Sequence, residues 1–291
     1  MAAAVVVLTV GPAHPIGAYN AVVSLGANLT TVEQEAMLSQ FGVGSTSVHR
    51  LIVTNSEEHR VLDGIAPASA IGSRAISSAY VVLLAPQSGI QVVTHNITWV
   101  TAGMYRNALA TAGVRDARVD VAAPFPVSGT AALVGILFGY HTATGRAVDY
   151  HTARVAAHEL VVTGDIGHAT SRTGTLVSLM AEVKSTVVAD HLTTPGQIRP
   201  VVVRVAADLG IHLTPAEEQQ IVSVMMEIGQ LRLNASSLES QVSHYRRDAN
   251  QLVAFWQAVQ NAIRWILSHI FGGGHVSRGR AVDAHRPHSL D

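Results

Sequence analysis

Apolar and polar positions follow two different rhythms along this chain. Up to Arg146, short runs rich in Val, Ile and Tyr interleave with short amphipathic stretches; from Ala147 onward apolar residues recur at steps of three and four. A period of two suits strands, whereas steps of three and four gather apolar side chains on one helical face. Strands are therefore predicted at Ala21 to Leu25, Val48 to Thr54, Ala75 to Ala85, Gly89 to Ile97 and Arg118 to Ala123. Pro86-Gln87-Ser88-Gly89 is a turn-forming tetrad, so the third and fourth runs read as a hairpin.

Helix starts are marked by side chains that can satisfy free backbone amides. Thr30 and Glu33 have capping-box spacing ahead of a helix to about Phe41. Asn55, with Glu58 in the reciprocal position, predicts a second short helix with Glu57 and Glu58 in its first turn, where the helix dipole favours acids. Met104, Tyr105, Ala108, Leu109 and Ala112 share a third helical face, stopped by Gly113. The Pro124-Phe125-Pro126 corner is expected to open a helix through Ser128-Gly129-Thr130 to about His141.

Beyond Ala147, helices are predicted at 148–162, 174–191, 196–209 and 215–232. The expected fold is α+β: a mixed β-sheet with helices in the N-terminal half and an all-helical C-terminal half with a long terminal amphipathic helix. The expected organisation is an α+β domain over 21–146, a helical domain over 147–271 and a flexible tail over 272–291. Residues 1–20 read as a signal-peptide remnant or a first strand, apolar but without a basic start. Leu25 to Glu33 is echoed by Leu209 to Glu217 at Leu, Gly, Leu, Thr and Glu, which reads as convergence on one good helix start. From Ile221 to Ile270 the apolar residues keep a heptad phase, and Asn234-Ala-Ser-Ser is expected to break it into two helices. Such a seam suits packing within the chain, with self-association as the rival use.

Composition narrows the function classes. With 48% hydrophobic and 13% charged residues, the chain belongs among globular proteins. A formal net charge of -1 provides no field to gather nucleic acid or an anionic membrane. The absence of cysteine removes disulfides, thiolate nucleophiles and cysteine-bound zinc. Lys184 is the single lysine among 19 basic residues, a bias that an arginine-favouring genome explains.

Candidate chemistry is sparse. There is no HExxH, P-loop or G-x-S-x-G spacing, and no metal site or cofactor is expected. Ser128, Gly129 and Thr130 could present hydroxyls and amides to a small ligand, although a plain helix cap explains them as well. Glu57, Glu58 and His59 could serve acid/base chemistry. Arg74, among small residues, could act as a carboxylate or phosphate fork.

Several segments together resemble a known family: Val53-Thr-Asn-Ser-Glu-Glu-His59, Ile71-Gly-Ser-Arg-Ala-Ile-Ser-Ser78, Asn96-Ile-Thr-Trp-Val-Thr101, Met104 to Gly113 and Ala123-Pro-Phe-Pro-Val-Ser-Gly-Thr-Ala-Ala-Leu133. They are similar to the YpuA-like family, a domain of unknown function found mainly in Gram-positive bacteria, and the resemblance runs from about Val22 to Phe271. It implies an extracytoplasmic or envelope location and carries over no catalytic or binding residue. The expected function is a secreted or envelope-associated, non-enzymatic binding protein with an unknown protein or cell-wall partner, with no nucleic acid and no membrane span in the mature chain. The alternatives are a small-ligand enzyme or hydrolase using Ser128 with Glu58 or His59, and a structural homo-oligomer joined through 237–271.

Overall fold

A computed structural model of the chain describes residues 20–44, 48–236 and 238. The leader-like segment, the heptad seam beyond residue 238 and the histidine-bearing tail lie outside these residues. Five strands form one mixed sheet: β1 (Ala21–Gly26), β2 (His49–Val53), β3 (Ser78–Leu83), β4 (Ile90–Ile97) and β5 (Ala117–Val127), in the order β2-β1-β3-β5-β4. β1 and β2 run parallel and are joined through α1 (Thr31–Gln40); β4 and β5 run parallel and are joined through α4 (Ala102–Thr111). β3 is antiparallel to both of its neighbours. Two parallel pairs, each needing a helical crossover, are thus joined through a central antiparallel strand.

The predicted hairpin does not form. β3 and β4 follow one another in sequence, yet β5 lies between them and pairs with both. The start of β5 takes the hydrogen bonds of both arms: Leu84 N donates to Asp116 O at 2.7 Å, and Gly89 N donates to Asp116 Oδ1 at 3.0 Å. The turn is present, since Ser88 N bonds Ala85 O at 3.2 Å, but it spans a slot one strand wide.

The Pro-Phe-Pro segment also differs from expectation, because it continues β5 instead of opening a helix. A central strand rarely tolerates proline, which cannot donate to the ladder. Here β3 pairs no further than Ala122, and the β4 register shifts between His95 and Ile97, so Pro124 and Pro126 fall where neither neighbour needs their amides. α5 (Thr130–Thr144) begins only after Gly129, whose φ of 98° is left-handed.

α5 lies across one face of the sheet. Leu133, Val134, Ile136, Leu137 and Phe138 are buried, each worth roughly 1.5–3 kcal/mol of transfer free energy. Gly135 makes the close approach possible, because a Cβ there would stand 2.4 Å from Ser24 Oγ on β1. On the other face, Met37, Leu38 and Phe41 of the α1 region pack on Val23, Leu25 and Ala122.

The helix starts use the predicted chemistry, with one shift. Thr30 and Glu33 form a reciprocal capping box, and so do Thr214 and Glu217, the echoed pair. Their helices, α1 after a strand and α9 (Pro215–Gly229) after a helix, stand in different settings, consistent with convergence. For α2 (Asn55–Leu62) the cap is Thr54 with Glu57, one residue ahead of Asn55 with Glu58. Asn55 and Glu58 are thereby released for other contacts.

Beyond Arg146 the described elements are all helical: α6 (Tyr150–Ala169), α7 (Thr173–Ala189), α8 (Pro195–Asp208) and α9. α9 ends at Gly229, and residues 231–234 are not helical, so the seam is interrupted just before Asn234 as its capping side chain predicts. Among the described residues no helix is long and apolar enough to cross a membrane.

α6 and α7 pack on α4, and the junction contains a buried ion pair. Lys184 Nζ of α7 donates to Glu159 Oε1 of α6 at 2.9 Å, with side chains 2% and 0% exposed. Nζ also donates to Asn107 O at 2.8 Å and lies 3.0 Å from Thr111 Oγ1, while Thr111 Oγ1 donates to Glu159 Oε2 at 2.5 Å. Burial pushes the Lys184 ammonium down and the facing carboxylate pulls it back. Removing one charge strands the other without water. Lys184→Met is therefore expected to destabilise the chain by about 3–5 kcal/mol in urea unfolding, and Lys184→Met with Glu159→Leu to recover much of the loss.

Candidate functional site

The residues singled out from the sequence separate into a cluster and three outliers. Glu58 of α2 is 1% exposed although it occupies a first helical turn. Thr130, the first residue of α5, places Oγ1 2.6 Å from Glu58 Oε1 and 3.1 Å from Ala70 O. Ser128 donates from Oγ to Ala70 O at 2.9 Å and lies 3.2 Å from Thr130 Oγ1. Ala70 belongs to α3 (Ala68–Ile71), a single turn flanked by Gly64 and Gly72, both at positive φ. Asn55 Nδ2 completes the ring, donating to Glu58 Oε2 at 3.4 Å and to Gly72 O at 3.3 Å. The peptide of Gly129, the third predicted ligand residue, is held from below: buried Tyr105 donates to its carbonyl at 2.5 Å.

This geometry has an electrostatic consequence. Burial pushes the Glu58 carboxyl from an ordinary 4.5 to about 7; the hydrogen bonds from Thr130 and Asn55 and the charge of His59 oppose burial without cancelling it. Tyr105 is pushed well above its ordinary value, first by burial and then by the nearby Glu58. The cluster is neutral when Glu58 holds its proton.

The other candidates serve local ends. Glu57 closes the α2 capping box, its Oε2 accepting from Thr54 N at 2.8 Å. His59 sits at the rim of the cluster: Nδ1 is 2.7 Å from Asp63 Oδ1, and Nε2 is 3.3 Å from Gly72 O. The Asp63 hydrogen bond raises its pKa. Arg74 joins neither Glu58 nor Ser128; its Nη2 donates to Asn28 O at 3.3 Å, and its charge helps hold Glu33 low after the two Thr30 hydrogen bonds. Glu58 and Ser128 thus converge, bridged by Thr130, and Arg74 stands apart.

Sequence reasoning missed two participants of the cluster, and the buried ion pair at the junction of α4, α6 and α7. Asn55 was visible only as a cap, and Tyr105 only as one of several apolar-face positions, although a buried tyrosine needs a partner for its hydroxyl. The Glu159–Lys184 pair could have been suspected from a lone lysine within an apolar helical stripe. Among the described residues, no group of three or more His, Asp and Glu side chains is arranged to hold a metal ion. His158 Nδ1 pairs instead with Glu227 Oε2 at 2.9 Å.

The fold and cluster define an α+β protein in which a helix-borne carboxyl is sealed against two hydroxyls at the start of α5. The chain belongs to the family described as Protein of unknown function (DUF1002), whose model matches residues 25–245. It is 37% identical over 204 residues to Uncharacterized protein YpuA of Bacillus subtilis (strain 168), covering 70% of each chain. No solved structure matches.

The sign of the pH effect follows from Glu58. Folded, it holds its proton up to about 7; unfolded, it ionises near 4.5, so ionisation becomes a folded-state penalty as pH climbs between these values. Wild-type stability is expected to fall across that window by on the order of 3 kcal/mol relative to Glu58→Gln, measured by urea unfolding. Parallel profiles for the two proteins would rule out the buried proton.

Proposed function

We propose that this chain is an extracytoplasmic, non-enzymatic interaction protein in which the Glu58–Thr130–Ser128 cluster shapes the surface without catalysing a reaction. The observation that carries this reading is closure: Glu58 and Thr130 are 1% and 2% exposed, so with α3 in place the carboxyl–hydroxyl pair of this cluster has no room for a substrate. A hydrolase needs its nucleophile beside a base in a concave, reachable site. Ser128 Oγ instead spends its contacts on Ala70 O and Thr130 Oγ1, and His59 is directed to Asp63 and Gly72.

Exposed apolar side chains support the interaction role. Phe125 is 39% exposed in the bulged end of β5, and Val93 is 47% exposed on the edge strand β4. An edge strand offers unpaired backbone groups to a partner, and an aromatic side chain beside it adds apolar contact area. The partner class that fits is a protein or cell-wall component outside the cytoplasm.

Two measurements test this. Hydrolysis of p-nitrophenyl esters and of p-nitrophenyl phosphate should run at the same background rate in wild type and Ser128→Ala; a loss of about tenfold or more in the variant would establish the rival enzyme. For location, alkaline phosphatase fused to the C-terminus of the chain, expressed in its own cells, should be active, since the reporter matures only in an oxidising compartment. An inactive but intact fusion would contradict export.

A further inference from the structure

The segment 64–72 has little structure of its own. It holds the four-residue α3, turns through left-handed glycines at both ends, and buries Ile71 as its apolar anchor. Two of its carbonyls are gripped from outside: Ala70 O by Ser128 and Thr130, and Gly72 O by Asn55 and His59. We propose that residues 64–72 are a flap held shut by protons on Glu58 and His59, which loosens as pH rises through neutrality and uncovers the Ser128 and Thr130 hydroxyls.

Proton counting carries the idea. A threonine hydroxyl has one proton, yet Thr130 Oγ1 lies within hydrogen-bond distance of both Glu58 Oε1, at 2.6 Å, and Ala70 O, at 3.1 Å. When Glu58 is protonated, its own O–H can donate to Thr130 Oγ1, leaving the threonine proton for Ala70 O. When Glu58 is ionised it only accepts, so it captures the threonine proton, and Ala70 O keeps Ser128 alone.

His59 acts in the same sense. Its two ring nitrogens face two acceptors, Asp63 Oδ1 and Gly72 O, and only the imidazolium donates to both. On deprotonation the remaining N–H stays with the charged and nearer Asp63, and Gly72 O loses a donor. Each deprotonation therefore removes one hydrogen bond from one flap carbonyl, and burial of the Glu58 charge adds to the effect of Glu58. Both groups favour the closed flap at low pH and release it at high pH.

The surrounding groups leave these two in control. Tyr105 faces Glu58 from α4 and stays neutral, because burial pushes its phenol up. Thr130 faces it from α5 with a neutral hydroxyl, and α3 presents carbonyls. From α6, Arg154 donates to the carbonyls of Arg60, Val61 and Asp63, and Tyr150 to that of Arg60, which fixes the end of α2 while the flap moves. The flap goes beyond the interaction role, which says nothing of when the surface is available.

Amide hydrogen exchange on the full chain tests it, after correction for the intrinsic pH dependence of exchange. From about pH 6 to about pH 8.5, protection over 64–72 should fall about tenfold while α5 and α7 hold theirs. Glu58→Gln, whose amide donates permanently to Thr130, should keep most of that protection at the higher pH. Unchanged wild-type protection, or an equal fall in Glu58→Gln, overturns the proposal. If Glu58→Gln does not fold, Thr130→Ser should retain the pH dependence and Thr130→Val should reduce it; equal behaviour of these two also overturns it.

Discussion

Glu58 is a carboxyl that the fold has closed off from water, and the join between α2, α3 and α5 depends on how that carboxyl is satisfied. α5 is the helix that covers the sheet, and its first residue, Thr130, is the direct partner of Glu58. Tyr105 reaches the same point from α4 through the carbonyl of Gly129. Four helices therefore meet around one ionisable group, so its protonation state bears on all of them.

A second buried carboxyl makes an instructive contrast. Glu159 is as inaccessible as Glu58, but it faces the Lys184 ammonium and the Thr111 hydroxyl. A carboxylate opposite a fixed cation can remain charged inside the protein, whereas one opposite hydroxyls and an amide is better kept neutral. The first arrangement joins α6 and α7 to α4 through opposite charges. The second makes the α2–α3–α5 junction sensitive to pH.

Much of the fold was legible because its signals are local. The helices from Tyr150 to Gly229 follow the three-and-four spacing of their apolar residues, and their starts at Pro195 and Pro215 follow threonine caps with first-turn prolines. The strand pairing was not legible in the same way. Nothing near Pro86-Gln87-Ser88-Gly89 reveals that a strand about thirty residues later will enter between its arms, because that insertion is decided by the α4 crossover. Pro124 and Pro126 misled for a related reason: whether a proline breaks a strand depends on which neighbours still pair beside it. At the site, Glu58, Ser128 and Thr130 were recognisable as polar residues of interest. The burial of Glu58 was not, since a first-turn glutamate reads as a solvated partner of the helix dipole until α3 and α5 are seen to cover it.

The most direct measurement is the carbon-13 NMR titration of the Glu58 side-chain carboxyl in the folded chain. A midpoint at about 7 is predicted, since burial holds the proton on against Thr130 and Asn55. A midpoint at the ordinary 4.5 would mean that the carboxyl is solvated, and the account of a sealed, proton-dependent junction would be wrong.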